Sequence, residues 1–229
     1  MPLILQIETS TDVCSIALSQ NGQVLSCVES TTPNSHSEKI TQLISACMAE
    51  AVVSISELDA VAVSEGPGSY TSLRIGVSTA KGMCYALGIP LISINSLSAL
   101  AYGVSETQLG PNEIILPMID ARRMEVYTSV YDYQKNKIAD TFAEILSPSS
   151  FDDYLDKYAH IHLCGNGAEK YYLHYPSDRL VLHHITASAS YLSELSMAAY
   201  ENRKFENLAY YTPNYFKDPN ITTSTKKLF

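Results

Sequence analysis

The sequence is poor in charged residues, contains no tryptophan and has no cluster of basic residues. Only 17% of its 229 residues are charged, and the formal net charge is −9. Direct docking on a nucleic-acid backbone requires clustered lysine and arginine, so this charge pattern argues against it. It leaves room for a role in a nucleic-acid enzyme whose partner carries the basic surface.

Long apolar runs and paired cysteines are also missing. No apolar run approaches the roughly 20 residues that cross a bilayer. The five cysteines are scattered singly, without a C-x-x-C pair, and the sequence shows no secretory leader pattern, which together favour a reducing compartment. We therefore expect a cytoplasmic protein without membrane contact. Apolar residues make up 46% of the chain, enough to build a substantial core.

Two stretches of the sequence share one pattern. Residues 2–8 form an apolar run that ends in Glu8, and a polar corner and a hairpin signal at Asn21-Gly22 follow. Residues 113–120 form a second apolar run that ends in Asp120, again followed by a polar corner and a hairpin. The repeat predicts a duplicated α/β fold. The alternative is a coincidence between two ordinary meanders.

The pattern divides the chain into a first lobe of residues 1–104 and a second lobe of residues 105–229, which carries a C-terminal helix and tail. A capping box is predicted at residues 35–38, opening a helix. A second helix is predicted from Leu73 to Leu87, with Gly88 as its C-cap. Further helices are predicted at residues 149–158 and 187–203, a strand at 160–164, and a surface tail after Tyr211.

The two acids at the strand ends are candidates for chemistry. In a duplicated α/β fold, Glu8 and Asp120 would face each other across a cleft, with Ser10 and Arg122 on the adjacent corners. Such acids can hold a hydrated Mg²⁺ beside a nucleotide phosphate. Alternatively, they cap neighbouring backbone amides or pair with Arg122 and Arg123.

The glycine-rich stretch at residues 64–76, SEGPGSYTSLRIG, lies between an apolar run and a helix. It lacks the Gly-Lys-Ser/Thr of a Walker A loop, and Thr71 stands where a dinucleotide fingerprint has its third glycine. It is also not a nucleophile elbow around Ser69. A strand-to-helix corner, with Ser69 or Thr71 as the helix cap, remains one interpretation. An anion site at the helix start remains the other.

The helix after this turn has a stripe of small residues that includes Ser72, Gly76 and Thr79. A glycine in a helix interior costs up to about 1 kcal/mol against alanine, and close approach of another helix could offset that cost. The partner helix could belong to this chain or to another one.

Metal chemistry finds little support in the sequence. No two of the six histidines are four residues apart, so no helix face carries a histidine pair. His160 and His162 share a strand face and could chelate an ion, although surface histidines of no special role are commoner. No arrangement for serine hydrolysis is recognisable.

Three separated motifs resemble the TsaB (YeaZ) family. They are the opening residues 2–18, the stretch GPGSYTSLRIG at residues 66–76, and IDARRMEVY at residues 119–127. The family patterns are close to I-D-T-S/A, G-P-G-S-F-T-G-L/V-R-I-G and I-D-A-R-x-x-E-V-Y, and they occur in the same order. This chain departs from them with Glu8 in place of aspartate and Ser72 in place of glycine.

The resemblance implies an actin-like, Hsp70- and sugar-kinase-related (ASKHA) α/β fold of two duplicated lobes. It also implies a non-catalytic subunit that binds TsaD and works with the ATPase TsaE. Together these proteins transfer threonylcarbamoyl from threonylcarbamoyl-AMP to N6 of the adenosine 3′ of the anticodon in tRNAs reading ANN codons. The chain would form homodimers when alone and meet tRNA only within the complex. No cofactor of its own is implied, and any ATP or ADP is expected at the interface shared with TsaD and TsaE.

The resemblance also assigns roles to residues. The docking surface for TsaD would include Ser35, His36, Ile40, Leu43, Thr71, Ser72, Ile75, Gly76, Thr79 and Met83. Motif residues that could touch a nucleotide are Glu8, Ser10, Gly66, Pro67, Gly68, Ser69, Arg74, Asp120 and Arg122. TsaD binds its metal through two histidines four apart on a helix, where this chain has His36 and Ile40. No catalytic residue and no metal ligand are therefore expected here.

Two other functions remain as alternatives. One is an autonomous ATP-dependent phosphotransferase of the actin-like superfamily that uses Glu8 and Asp120. The other is a peptidase, which the missing metal pair and nucleophile arrangement disfavour.

Overall fold

The first sheet is built from the N-terminal part of the chain. The computed structural model describes residues 1–32 and 35–216. Five strands form this sheet in the order β3-β2-β1-β4-β5. Their bounds are β1 Leu3–Glu8, β2 Cys14–Gln20, β3 Gln23–Ser30, β4 Ala60–Gly66 and β5 Leu91–Asn95. β1 is antiparallel to β2 and parallel to β4, so the acid-ended first strand lies at the centre.

The second sheet repeats this arrangement. Its five strands lie in the order β10-β9-β6-β7-β8. Their bounds are β6 Glu113–Asp120, β7 Glu125–Asp132, β8 Lys137–Ile145, β9 His160–Cys164 and β10 Leu180–Leu182. β6 is antiparallel to β7 and parallel to β9, as β1 is to β2 and β4. The predicted duplication of a two-lobed α/β frame is confirmed.

Helices connect the parallel strands and cover the sheets. The α-helices are α1 His36–Glu50, α2 Tyr70–Leu87, α3 Ser96–Gly103, α4 Asp152–Leu155, α5 Ala168–His174 and α6 Ser193–Glu201. Short 3₁₀ turns lie at Ile55–Glu57, Glu106–Gln108 and Ala189–Leu192. α2 ends as predicted at Gly88, whose φ of 68° is the left-handed conformation that glycine adopts without strain. In the part of the chain that the structure describes, no helix combines the length and hydropathy of a bilayer span.

Some local predictions were wrong. The capping box at residues 35–38 is absent, because the Ser35 hydroxyl donates to the Thr32 carbonyl (2.7 Å) instead of capping α1. Ser69 occupies the N-cap position of α2, but its side chain makes no capping bond and accepts from Ser72 Oγ (3.0 Å). The helix predicted at residues 149–158 is reduced to α4, and the one predicted at 187–203 is a 3₁₀ turn followed by α6.

The C-terminal part of the described chain returns to the first sheet. Leu192 is fully buried in one cluster with Ile4, Ala60 and Ile92, and the Glu206 amide donates to the Leu91 carbonyl (2.9 Å). Residues that the sequence assigned to the second lobe thus pack on the first. The lobe boundary between residues 104 and 105 stays a prediction, and the predicted tail beyond residue 216 lies outside the described residues.

Helix α2 packs closely on the corner that follows β1. A Cβ atom added at Gly76 would lie 2.3 Å from Thr9 Oγ1, and Thr9 itself is fully buried. Gly82 lies on the same helix, but a Cβ atom there would have no neighbour within 4 Å. The two glycines therefore face opposite environments.

This contrast predicts opposite effects for one substitution. Gly76→Ala should lower the free energy of unfolding by about 1–3 kcal/mol, because the added methyl overpacks the corner. Gly82→Ala should raise it by about 0.5–1 kcal/mol, because alanine is the better helix former in open space. Urea unfolding of both variants measures the two values. Equal effects of the two substitutions would contradict the packing described here.

Candidate functional site

The glycine turn between β4 and α2 is pressed against the chain's own first corner. A Cβ atom at Gly68 would lie 2.3 Å from the Ser10 carbonyl oxygen. The Ser69 amide, at the start of α2, donates to that same oxygen (2.7 Å). Gly66 has a φ of 112°, so the turn needs glycine there for its backbone and at Gly68 for close approach. One of the amides that could meet an anion is thus already engaged.

Glu8 is enclosed in this corner. Its side chain is 1% exposed, and its Oε1 accepts the Ser10 amide at 2.5 Å. Burial raises the pKa of Glu8 above its ordinary value of 4.5, and hydrogen bonds from Ser10 and Ser64 offset this only in part. This carboxyl group therefore caps a backbone amide, one of the two roles predicted for it, and is shielded from solvent.

Asp120 makes the same backbone contact in the second lobe but is exposed. Its Oδ1 accepts the Arg122 amide (2.6 Å) and the Lys170 ammonium group (2.6 Å). The predicted amide cap is therefore present, while the cation partner is Lys170, which the sequence prediction did not include. Contact of Glu8, Asp120 and the other motif residues with a nucleotide stays a prediction.

A second glycine turn, which the sequence interpretation missed, lies between β9 and α5. A Cβ atom at Gly165 would lie 2.4 Å from the Met118 carbonyl oxygen, and Gly165 has a φ of 93°. Gly167 packs against the Asp120 backbone, whose amide donates to Asn166 Oδ1 (3.0 Å). Each lobe thus has a glycine turn after its second parallel strand, but Gly68 packs on the corner after β1, whereas Gly165 and Gly167 pack on β6 itself. The paired glycines after each buried strand were the available signal.

Several residues predicted for docking are buried within the chain. Ile40 and Leu43 belong to the core of the first lobe, and Gly76 packs on Thr9. Ser35 and His36 are also buried, and His36 Nε2 lies 3.3 Å from the Val13 carbonyl oxygen. These five are buried within the chain, and their contact with a partner stays a prediction. The prediction continues for the other five, which reach the surface in whole or in part: Thr71, Ser72, Ile75, Thr79 and Met83.

The outer face of α2 is formed mainly by residues that the sequence prediction did not select. Ser78, Gly82 and Tyr85 are exposed, together with Thr71, and Tyr85 is 83% exposed. They lie opposite the buried Leu73, Val77 and Cys84. Helical spacing from those apolar residues would have identified this face.

His160, His162 and His183 form a polar cluster with Glu113. The Glu113 carboxylate accepts from His160 Nδ1 (2.8 Å) and His162 Nε2 (3.0 Å), and His162 Nδ1 lies 2.8 Å from His183 Nε2. His162 is only 3% exposed. Within residues 1–32 and 35–216, no group of three or more His, Cys, Asp or Glu side chains could hold a metal ion. The cluster links β6, β9 and the segment after β10.

The family follows from comparison with known proteins. Residues 27–226 match the family described as "TsaD: tRNA N6-adenosine threonylcarbamoyltransferase". The chain belongs to this family. The tRNA threonylcarbamoyladenosine biosynthesis protein TsaB of Haemophilus influenzae is 31% identical over 141 residues, 62% of this chain and 58% of the relative. The protein of the same name from Escherichia coli is 33% identical over 135 residues, 59% and 57% of the two chains.

A solved structure agrees with these similarities. YeaZ from Pseudomonas aeruginosa superposes with a TM-score of 0.77 at 26% identity, covering 94% of this chain and 100% of that one. The predicted resemblance to TsaB (YeaZ) and the predicted duplicated actin-like fold are confirmed. The matched segments span less than two thirds of the curated TsaB relatives, 58% and 57% of their lengths.

The buried Glu8 gives a pH-dependent prediction. The folded-state pKa of Glu8 is raised, so folding favours its neutral form. The stability that Glu8 contributes is therefore complete below the unfolded pKa of about 4.5, and it is lost as the pH rises through the folded pKa. Glu8→Gln keeps an acceptor for the Ser10 amide and cannot ionise. Its stability relative to the unsubstituted chain should therefore increase as the pH rises above about 4.5.

Urea unfolding between pH 4 and pH 8 measures this difference, and Glu8→Ala is the control. Alanine removes the acceptor and leaves a cavity, so this variant should be less stable than Glu8→Gln throughout. A difference between Glu8→Gln and the unsubstituted chain that stays constant with pH would show that Glu8 is not held in its neutral form.

Proposed function

We propose that this chain acts in tRNA threonylcarbamoyladenosine biosynthesis as a non-catalytic subunit that docks on TsaD and works with TsaE. The transfer of threonylcarbamoyl from threonylcarbamoyl-AMP to N6 of the adenosine 3′ of the anticodon, in tRNAs reading ANN codons, takes place on the partner. The family and the TsaB names of the relatives support the pathway. The geometry of the glycine turn supports the non-catalytic role.

The observation that carries the proposal is that the chain fills its own glycine turn. The Ser10 carbonyl occupies one side of the turn, where it accepts the Ser69 amide. On the other side the Asn214 amide donates to the Glu65 carbonyl (2.7 Å). Glu8 lies buried beneath and is bonded within the corner. A phosphotransferase needs open amides and exposed carboxylates here, and this turn offers neither in full.

The outer face of α2 is the surface that fits a partner. It exposes the small residues Thr71, Ser78 and Gly82, with Tyr85 at its end. Small side chains let a second helix approach closely, and an exposed aromatic is a frequent anchor of protein interfaces. In the absence of TsaD the same face would join two copies of this chain.

The charge of the chain supports the proposal that the partners make the contact with tRNA. A net charge of −9 opposes binding to a polyphosphate backbone. In this proposal tRNA is bound only within the complex, and ATP or ADP is held at the interface with TsaD and TsaE.

The test is complementation of a strain that lacks the gene for this chain. The deletion should remove the threonylcarbamoyl nucleoside from tRNA hydrolysates, and the unsubstituted chain should restore it. Ser78→Arg should reduce capture of TsaD by at least about ten-fold, because a long charged side chain blocks close helix approach, and should lower the nucleoside accordingly. Pull-down and nucleoside analysis by mass spectrometry measure both effects.

Ser149→Arg is the matched control, since Ser149 is an exposed serine of the second lobe, and it should behave like the unsubstituted chain. Normal modification in the deletion strain would refute the assignment to this pathway. Unchanged TsaD capture by Ser78→Arg would refute docking through α2.

Calorimetric titration of the isolated chain with Mg·ATP tests the alternative function, because submillimolar binding would favour an autonomous phosphotransferase.

A further inference from the structure

The last described residues, 206–216, lie along the first lobe and divide into two parts. Residues 206–211 form what we call the anchor. The Glu206 amide donates to the Leu91 carbonyl (2.9 Å), and Ser93 Oγ donates to Glu206 Oε1 (2.6 Å). Lys81 Nζ on α2 donates to the Tyr211 carbonyl (3.0 Å), and Leu208 and Tyr211 pack on the core of the first lobe. The anchor is thus part of the first lobe.

Residues 212–216, which we call the latch, cross the outside of the glycine turn. Pro213 is buried, and the next residue, Asn214, donates its amide to the Glu65 carbonyl (2.7 Å). The Asn214 carbonyl oxygen would lie 2.6 Å from a Cβ atom at Gly66. The latch therefore covers the side of the turn that the Ser10 corner leaves open.

Tyr215 fastens the latch to the first turn of α2. Its ring centroid lies 4.6 Å from that of Tyr70, and its hydroxyl oxygen accepts from Arg74 Nε (2.9 Å). The Arg74 guanidinium group also lies over the Tyr70 ring, 4.0 Å from its centroid. Ring pairs of this kind and cation–π contacts add modest stabilisation at a surface.

Phe216 continues the latch to the second lobe. Its ring centroid lies 6.1 Å from that of Tyr127 on β7, within the range of favourable aromatic pairs. The latch thus runs from the buried Pro213, which packs on the first lobe, over the glycine turn to a strand of the second sheet.

We propose that residues 212–216 are a releasable latch that covers the glycine turn of the first lobe and reaches β7 of the second lobe. The contacts described after Pro213 include one backbone hydrogen bond, one hydrogen bond and one cation–π contact of the exposed Arg74, and two aromatic pairs. The anchor holds the chain in place when these contacts break, so the latch opens by local unfolding and not by unfolding of the lobe. Release uncovers Tyr70 and the outer side of residues 65–68.

Hydrogen–deuterium exchange of the full chain tests the latch. Tyr215→Ala removes the ring pair and the Arg74 bond, so the amides of residues 64–66, of Gly68, Tyr70 and Asn214 should exchange on the order of 3- to 10-fold faster. Tyr215→Phe keeps the ring and should give a smaller increase. The matched control is Tyr210→Ala, since Tyr210 belongs to the anchor but is 84% exposed, and it should leave these rates unchanged.

A fluorescent reporter gives an independent readout, because the chain contains no tryptophan. In a Phe216→Trp background the single indole should stack near Tyr127, and adding Tyr215→Ala should shift its emission to the red as it becomes solvated. Adding Tyr210→Ala should not. Exchange rates in Tyr215→Ala that match those in Tyr210→Ala, or an indole equally solvated in both backgrounds, would overturn the proposal.

Discussion

The contact between the glycine turn and the corner after β1 is the constraint on which the rest of the first lobe depends. The Ser10 carbonyl approaches Gly68 so closely that no Cβ atom fits, and it accepts the Ser69 amide. That contact fixes where α2 begins. The missing side chain at Gly76 then lets the helix pack directly on Thr9. The direction of α2, and therefore which of its faces meets solvent, follows from two glycines and one backbone oxygen.

The second lobe has the same acid-to-amide contact after its first strand, but its acid is exposed to solvent. Both lobes end their first strand in an acid that accepts the amide two residues later, Ser10 in one and Arg122 in the other. Both place a glycine turn near the end of that strand, against Ser10 in the first lobe and against Met118 and Asp120 in the second. Only the first acid is enclosed, whereas Asp120 stays in solvent beside Lys170. A duplicated frame has thus kept its backbone geometry while the chemical environment of the two carboxyl groups has diverged.

Sequence patterns predicted the frame better than the contacts that join its parts. The acid-ended strands, the hairpins and the end of α2 at Gly88 are set by neighbours in sequence, and all were predictable. Burial of Gly76 and the course of residues 206–216 depend on groups far along the chain, such as Thr9 and Leu91. The capping box failed because Ser35 had a competing acceptor in Thr32. A stripe of small residues on a helix does not indicate which helix or corner will pack against it.

The two interior glycines of α2 differ in what packs against them. Its inner glycine, Gly76, is explained within the chain, because a larger residue would collide with Thr9. Its outer glycine, Gly82, has open space where a Cβ atom would be, yet an interior helix glycine costs about 1 kcal/mol against alanine. Nothing in the described fold offsets that cost. Close approach of a second helix would offset it, and Ser78 and Tyr85 on the same face have the size and exposure that such an approach requires.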